Sequence, residues 1–316
     1  MGPIMQRERL AVVTGGGGFI GQALIRRLLS DGWLVRNLDL VPGTHVAPGL
    51  SFYQGTFSNI DLLREAMAGA ECLFHLASAY FPREANLHPG EDARSTILGI
   101  ITIGELAAEL GVRRIVFASS GGTVYGRLEK IPVPEDHPTR PLTAYGISKL
   151  AAEHYLRFFA GRGVETLSLR IANPYGAGQN INKAQGALTT FCHRAVYGQP
   201  IEIWGDGSVE RDFIHVEDVA RALALAASTQ ATGTEINIGS GRGTSLNELL
   251  RIINEVTGRD LEVSYHEARS FDVPRSVLAI GRARDMLGWR PRKEISEGIT
   301  EMIGYFEESR LLATSP

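Results

Sequence analysis

Tyr145 and Lys149 stand four apart in the run Tyr145-Gly146-Ile147-Ser148-Lys149, so on a helix they share one face. A phenol with an ordinary pKa of roughly 10 is a poor base at neutral pH. A nearby ammonium favours the phenolate, and an oxidised nicotinamide ring adds further positive charge. Such a phenolate takes a proton from a substrate hydroxyl while hydride leaves the same carbon for the nicotinamide. A second hydroxyl is needed to orient the substrate, and the run Ser119-Ser120-Gly121-Gly122-Thr123-Val124-Tyr125-Gly126 offers Ser120 first and Thr123 second. Tyrosine and lysine at this spacing also occur by chance on many helices, so the pair takes its meaning from the elements around it.

The element that gives it meaning is Thr14-Gly15-Gly16-Gly17-Gly18-Phe19-Ile20-Gly21. It lies between Leu10–Val13, a short apolar run that reads as a buried parallel strand, and Gln22–Leu29, apolar at helical spacing. Gly15 permits the tight turn, Gly18 lets a pyrophosphate approach the backbone, and Gly21 lets the helix pack closely on the sheet. The helix start offers N–H groups to phosphates. The next strand, Leu34–Leu38, ends in Asp39, placed to accept from an adenosine ribose and to repel a 2′-phosphate. NAD rather than NADP is therefore the expected cofactor.

Further strands are expected at Leu50–Gln54, Glu71–Ala77, Arg114–Ala118 and Thr166–Arg170, with helices at Ile60–Ala68, Ala93–Leu110 and Tyr145–Phe159. This alternation implies a Rossmann-type doubly wound parallel sheet. Residues 1–172 form the expected NAD-binding domain, to which the chain returns around 212–240. Residues 173–316 are expected to form mainly a smaller α/β substrate-binding domain, with Asn173–Lys183 as a long polar loop. His75, beside a strand end, reads as a packing residue rather than a catalytic one. The helix Ala93–Leu110 carries more apolar residues than one buried stripe requires, which points to a homodimer interface or to cover from its own chain.

The 316 residues are 44% hydrophobic and 21% charged, with net charge −3, which gives no reason to expect nucleic acid or an anionic membrane as partner. Neither Cys72 nor Cys192 has metal-ligand spacing, so no metal is expected and both thiols read as reduced and structural. No apolar run is long enough to span a bilayer, and Met1–Arg9 does not read as a signal peptide, so a cytoplasmic protein is expected.

Thr14–Gly21, Asp39, Phe74–Ala77, Ser119–Gly126 and the Tyr145–Lys149 pair together resemble the extended short-chain dehydrogenase/reductase family. Within it the chain is similar to the nucleotide-sugar epimerase/dehydratase group, especially the UDP-glucose 4-epimerase-like members. The likeness continues through Arg170–Gly176, Ile203–Ser208, Arg211–Val216, Asp272–Pro274 and Leu287–Trp289. It implies that Gly15, Gly18, Phe19, Ile20, Gly21, Asp39, Leu76, Ala77, Ser119, Tyr145 and Lys149 contact NAD. It implies that Asn173, Arg211 and Arg269 hold a diphosphate, as guanidinium forks and an amide can. Arg275 is the nearest rival of Arg269. Leu188 and Trp204 would line a uracil site, although Trp204 reads equally well as a core residue. Ser276 matches the position that limits pocket size.

The chain departs from the group at Thr56-Phe57 in the adenine region, at Thr96, at Ala279 and at Gly121-Gly122. At the last position 4,6-dehydratases carry an Asp-Glu pair. Without those carboxylates the elimination of water lacks its acid and base. The implied activity is 4-epimerisation of a UDP-hexose: UDP-glucose or galactose, or an N-acetylated or uronic-acid form. A 4-keto reductase or dehydratase of the same family is the alternative. A non-catalytic NAD-sensing module is the alternative of another class, and it would have no use for Tyr145 and Lys149.

Overall fold

The computed structural model describes residues 8–181, 186–268 and 273–314. Six strands, β1 (Leu10–Thr14), β2 (Leu34–Asp39), β3 (Leu50–Gln54), β4 (Cys72–His75), β5 (Arg114–Ser120) and β6 (Glu165–Ile171), join Thr234–Ile238 in one parallel sheet. The order is Thr234–Ile238, β6, β5, β4, β1, β2, β3. Order reverses between β4 and β1, and ligands of such sheets bind in that crevice at the carboxyl ends of the strands.

The central strands are buried on both faces, so their side chains divide by parity. Val13, Phe74 and Val116 pack with the helices Phe19–Ser30 and Val216–Ala226 on one side. Val12, Leu73, Ile115 and Phe117 pack with Ile60–Met67, Gly99–Leu110 and Ala144–Ala160 on the other. A third core joins Ala187–Tyr197, Leu246–Thr257 and Ile295–Thr314.

Three features differ from the sequence reading. Ala93–Leu110 is helical but not α-helical throughout: Pro89–Ala93, preceded by a short helix Pro82–Leu87, runs into a π-helical turn, Arg94–Leu98, and on into Gly99–Leu110. Prolines at the first turns of both short helices start them separately. The polar stretch after Ile171 is not all loop, because Asn173–Tyr175 pairs in parallel with Phe213–His215. The tail also returns to the parallel-sheet lobe, where Ala283, Leu287 and Trp289 join the first core. No helix among the described residues is long and apolar enough to cross a membrane.

Candidate active site

The glycine turn is shaped by close approach. Gly15 adopts φ +78°, and a Cβ there would lie 2.6 Å from the Ala77 nitrogen. A Cβ on Gly21 would lie 2.2 Å from the Gly15 oxygen, which is how the first helix seats against the turn. Gly18 is the N-cap and brings no capping side chain, so the first-turn N–H groups of Phe19, Ile20 and Gly21 face a ligand site. Asp39 at the end of β2 accepts from the Gly17 nitrogen at 2.9 Å and from the Leu40 nitrogen at 2.6 Å. The Leu76 nitrogen donates to the Thr14 oxygen at 3.0 Å, setting Leu76 and Ala77 beside the turn.

His75 is a packing residue. It is buried, its Nδ1 lies 2.7 Å from the Thr14 hydroxyl, and its ring stacks on Phe117 with Phe57 at its edge. Burial, with Lys149 nearby, pushes its pKa down to about 3, so it stays neutral.

Thr143 caps the helix of Tyr145, its hydroxyl accepting from the Gly146 nitrogen at 3.1 Å. Asn86 takes the Ala144 nitrogen at 2.9 Å and so ties the Pro82–Leu87 helix to the same end. Lys149 Nζ donates to the Ala118 oxygen at 2.9 Å and stands 5.4 Å from the Tyr145 ring centre. The expected acidic phenol is not found in the free protein. Burial first, then the Asp92 charge, holds the Tyr145 hydroxyl above its ordinary value, and burial lowers Lys149 to about 8 against Asp92 and Glu153. Lys149 is buried and Tyr145 half-buried, and each charged form is disfavoured until a ligand brings charge of its own.

The two candidate hydroxyls differ from their neighbour. Ser119 is buried and donates to Glu153, so its side chain belongs to the scaffold. Ser120 follows on the opposite face of β5 and is half-buried. Thr123 Oγ1 is buried without a hydrogen-bond partner among the described residues, and the Thr123 oxygen would sit 2.7 Å from a Cβ on Gly146. The loop therefore lies directly against the start of the Tyr145 helix.

On the carboxyl side, backbone pairing gathers Asn173, Arg211 and Ser276. Asn173 Nδ2 donates to the Asp212 oxygen at 2.9 Å, and Ser276 is in register with Arg211. Arg211 Nη1 donates to the Val273 oxygen at 2.6 Å. Trp204 is 38% exposed and lies 5.5 Å from the His266 ring, which removes the core reading. Leu188 does not line an open wall: its side chain is fully buried in the third core. The cause is its place in the first turn of Ala187–Tyr197, on the face turned to the other two helices. Arg269 lies outside the described residues. Arg275, its rival, is ion-paired with Glu210 at 2.7 Å.

Residues 11–239 match the NAD dependent epimerase/dehydratase family. The chain belongs to that family. It is 34% identical over 305 residues to a putative UDP-glucose 4-epimerase of Methanocaldococcus jannaschii, covering 95% of this chain and 99% of the relative. It is 31% identical to a dTDP-4-dehydro-6-deoxyglucose reductase of Escherichia coli, covering 94% and 97%. The crystal structure of a UDP-glucose 4-epimerase from Thermotoga maritima, with UDP-glucose, is similar at TM-score 0.90 and 33% identity, covering 95% of this chain and 99% of that one.

As a member of this family the chain is an NAD-dependent nucleotide-sugar enzyme, and its residues fit the cofactor: a bare glycine turn at an uncapped helix start, with an acid at the next strand end. Three residues around this candidate site escaped the sequence reading. Glu153, one helical turn beyond Lys149, binds Arg170 on β6 at 2.7 Å and accepts from Ser119, locking the helix to the sheet. Its spacing from Lys149 was the available signal. Asp212 accepts from the nitrogens of Ser240, Gly241 and Leu278 and braces Asn173 and Ser276 through its own backbone. Asp92 is the third, and no local pattern marks it.

Proposed function

We propose that the chain is a nucleotide-sugar 4-epimerase acting on a UDP-hexose, with Tyr145 removing and returning the proton of the sugar 4-hydroxyl. The chemistry supplied by bound NAD is reversible acceptance of hydride from C4. Lys149, held by Ala118, provides the positive charge that favours the phenolate as substrate and cofactor fill the pocket. Ser120, with Thr123 beside it, orients the reacting hydroxyl. Asn173, Arg211 and Arg269 take the diphosphate, the exposed face of Trp204 takes the base, and Ser276 leaves room at the sugar. The residues named for NAD above take that cofactor.

The observation that carries epimerisation over dehydration is the loop Gly121-Gly122. It has no carboxylate, and a Cβ on Gly121 would meet Leu278 Cδ1 at 2.5 Å and the Arg170 oxygen at 3.1 Å. Neither glycine supplies the acid or the base of an elimination. Similarity to the Escherichia coli reductase favours a second reading, a 4-keto-sugar reductase. The two separate on cofactor use: a reductase consumes NADH stoichiometrically, an epimerase has no net turnover of it.

The deciding experiment is NMR of UDP-glucose and UDP-galactose incubated with purified protein. Interconversion is expected with the natural chain, and Tyr145→Phe is expected to lose about 10²–10⁴-fold in kcat. Full-speed turnover by Tyr145→Phe would end this reading. Cytoplasmic location is part of it, supported by two buried free thiols. A homodimer, argued below, is part of it too.

A further inference from the structure

Asp92 is fully buried, and neither of its carboxylate oxygens has a hydrogen-bond partner among the described residues. A bare carboxylate taken out of water is costly, so a compensating charge or donor is required. Asp92 lies on Pro89–Ala93, immediately before the π-helical turn Arg94–Leu98, and both segments pack on Ala144–Ala160. Such turns often mark functional sites.

The charges around Lys149 are few. On its own helix are Tyr145 and Glu153, and Glu153 is engaged by Arg170 of β6 and by Ser119. From β5 come the Ala118 oxygen and the Phe117 ring, from β4 the neutral His75. On the short helices and the turn, Arg83, Glu84, Glu91 and Arg94 are exposed to water, and on Gly99–Leu110 so are Glu105 and Glu109. Asp92 is thus the buried acid near Lys149 that has no hydrogen-bond partner among the described residues.

We propose that Asp92 is the counter-charge of Lys149: a positioning residue whose buried carboxylate keeps the lysine an ammonium beside Tyr145. This deepens the reading of Tyr145 and Lys149 as the reacting pair. Asp92 raises the proton affinity of Lys149 against the larger effect of burial, and it also opposes ionisation of Tyr145. Its removal therefore lets both groups lose their protons at lower pH.

The chain has four lysines, Lys130, Lys149, Lys183 and Lys293, so 13C-lysine NMR resolves the titration, with Lys149→Met identifying the signal. In the free full-length protein, Asp92→Asn is expected to move the Lys149 midpoint down by about one pH unit, about tenfold in proton affinity. The alkaline limb of kcat for UDP-glucose epimerisation is expected to move down with it. Asp92→Leu tests the same point without leaving an amide, and circular dichroism confirms folding of each variant. An unmoved Lys149 titration in a folded variant overturns the proposal, even where kcat falls. If the natural chain does not epimerise UDP-glucose, the functional reading fails while the titration still decides the role of Asp92.

Discussion

Lys149 at about 8 sits within reach of working pH, so its ammonium is fully present only below that value and is lost as pH rises through it. Tyr145, held high by burial and Asp92, would need that ammonium and the cofactor's charge to act as the proposed base. Types and spacing revealed this pair in the sequence, but the electrostatic sign did not follow from spacing, because burial outweighs a neighbour's charge here. Ser276 belongs to the same scale. It is half-buried on Arg275–Ser276 beside Arg211, with a small side chain where the sugar is proposed to lie. Ser276→Tyr is expected to lower kcat/KM for a UDP-N-acetylhexose at least about tenfold and that for UDP-glucose by no more than about twofold. Steady-state kinetics on both sugars checks this, and equal losses would sink the pocket-size role.

At the scale of elements, the chemistry depends on holding one helix against two strands. Glu153, Arg170, Tyr125 and Asn237 form a buried polar chain: Arg170 donates to Glu153 at 2.7 Å and to the Tyr125 hydroxyl at 3.1 Å, and Tyr125 donates to Asn237 Oδ1 at 2.6 Å. Glu153→Ala would leave Arg170 buried without its carboxylate. It is expected to cost about 3–5 kcal/mol in chemical denaturation, and a loss below about 1 kcal/mol would mean the lock carries little. Apolar periodicity made the strands and the Tyr145 helix legible, because each buries a regular face. It failed over 82–98, where two proline-started turns and a π-helical turn shift the phase and carry Asp92 inward.

For the whole molecule, one group of exposed apolar side chains lies on two neighbouring helical segments. Leu98 and Ile147 are each 54% exposed and Phe158 is 50% exposed, while Ile100, Ile103 and Leu106 of the excess noted in the sequence are buried within the chain. Part of the excess read from the sequence is thus covered internally, and Leu98 is not. A homodimer through the exposed part is expected. Sedimentation velocity of Ile147→Asp/Phe158→Asp should give a monomer where the natural chain gives a dimer, and a natural chain that is monomeric at micromolar concentration removes the interface.

By itself the sequence determined the parallel α/β fold and the cofactor turn, and it singled out Tyr145 and Lys149 as the candidate pair, because those depend on local spacing and on period-matched burial. The tertiary structure alone decided that the Ser119 hydroxyl is engaged by Glu153, that Leu188 faces a core and Trp204 does not, and that an acid without a hydrogen-bond partner among the described residues is buried near the candidate pair. Those facts are set by which side chains meet across elements far apart in the chain, and in a dry interior such meetings govern charge more strongly than residue type does.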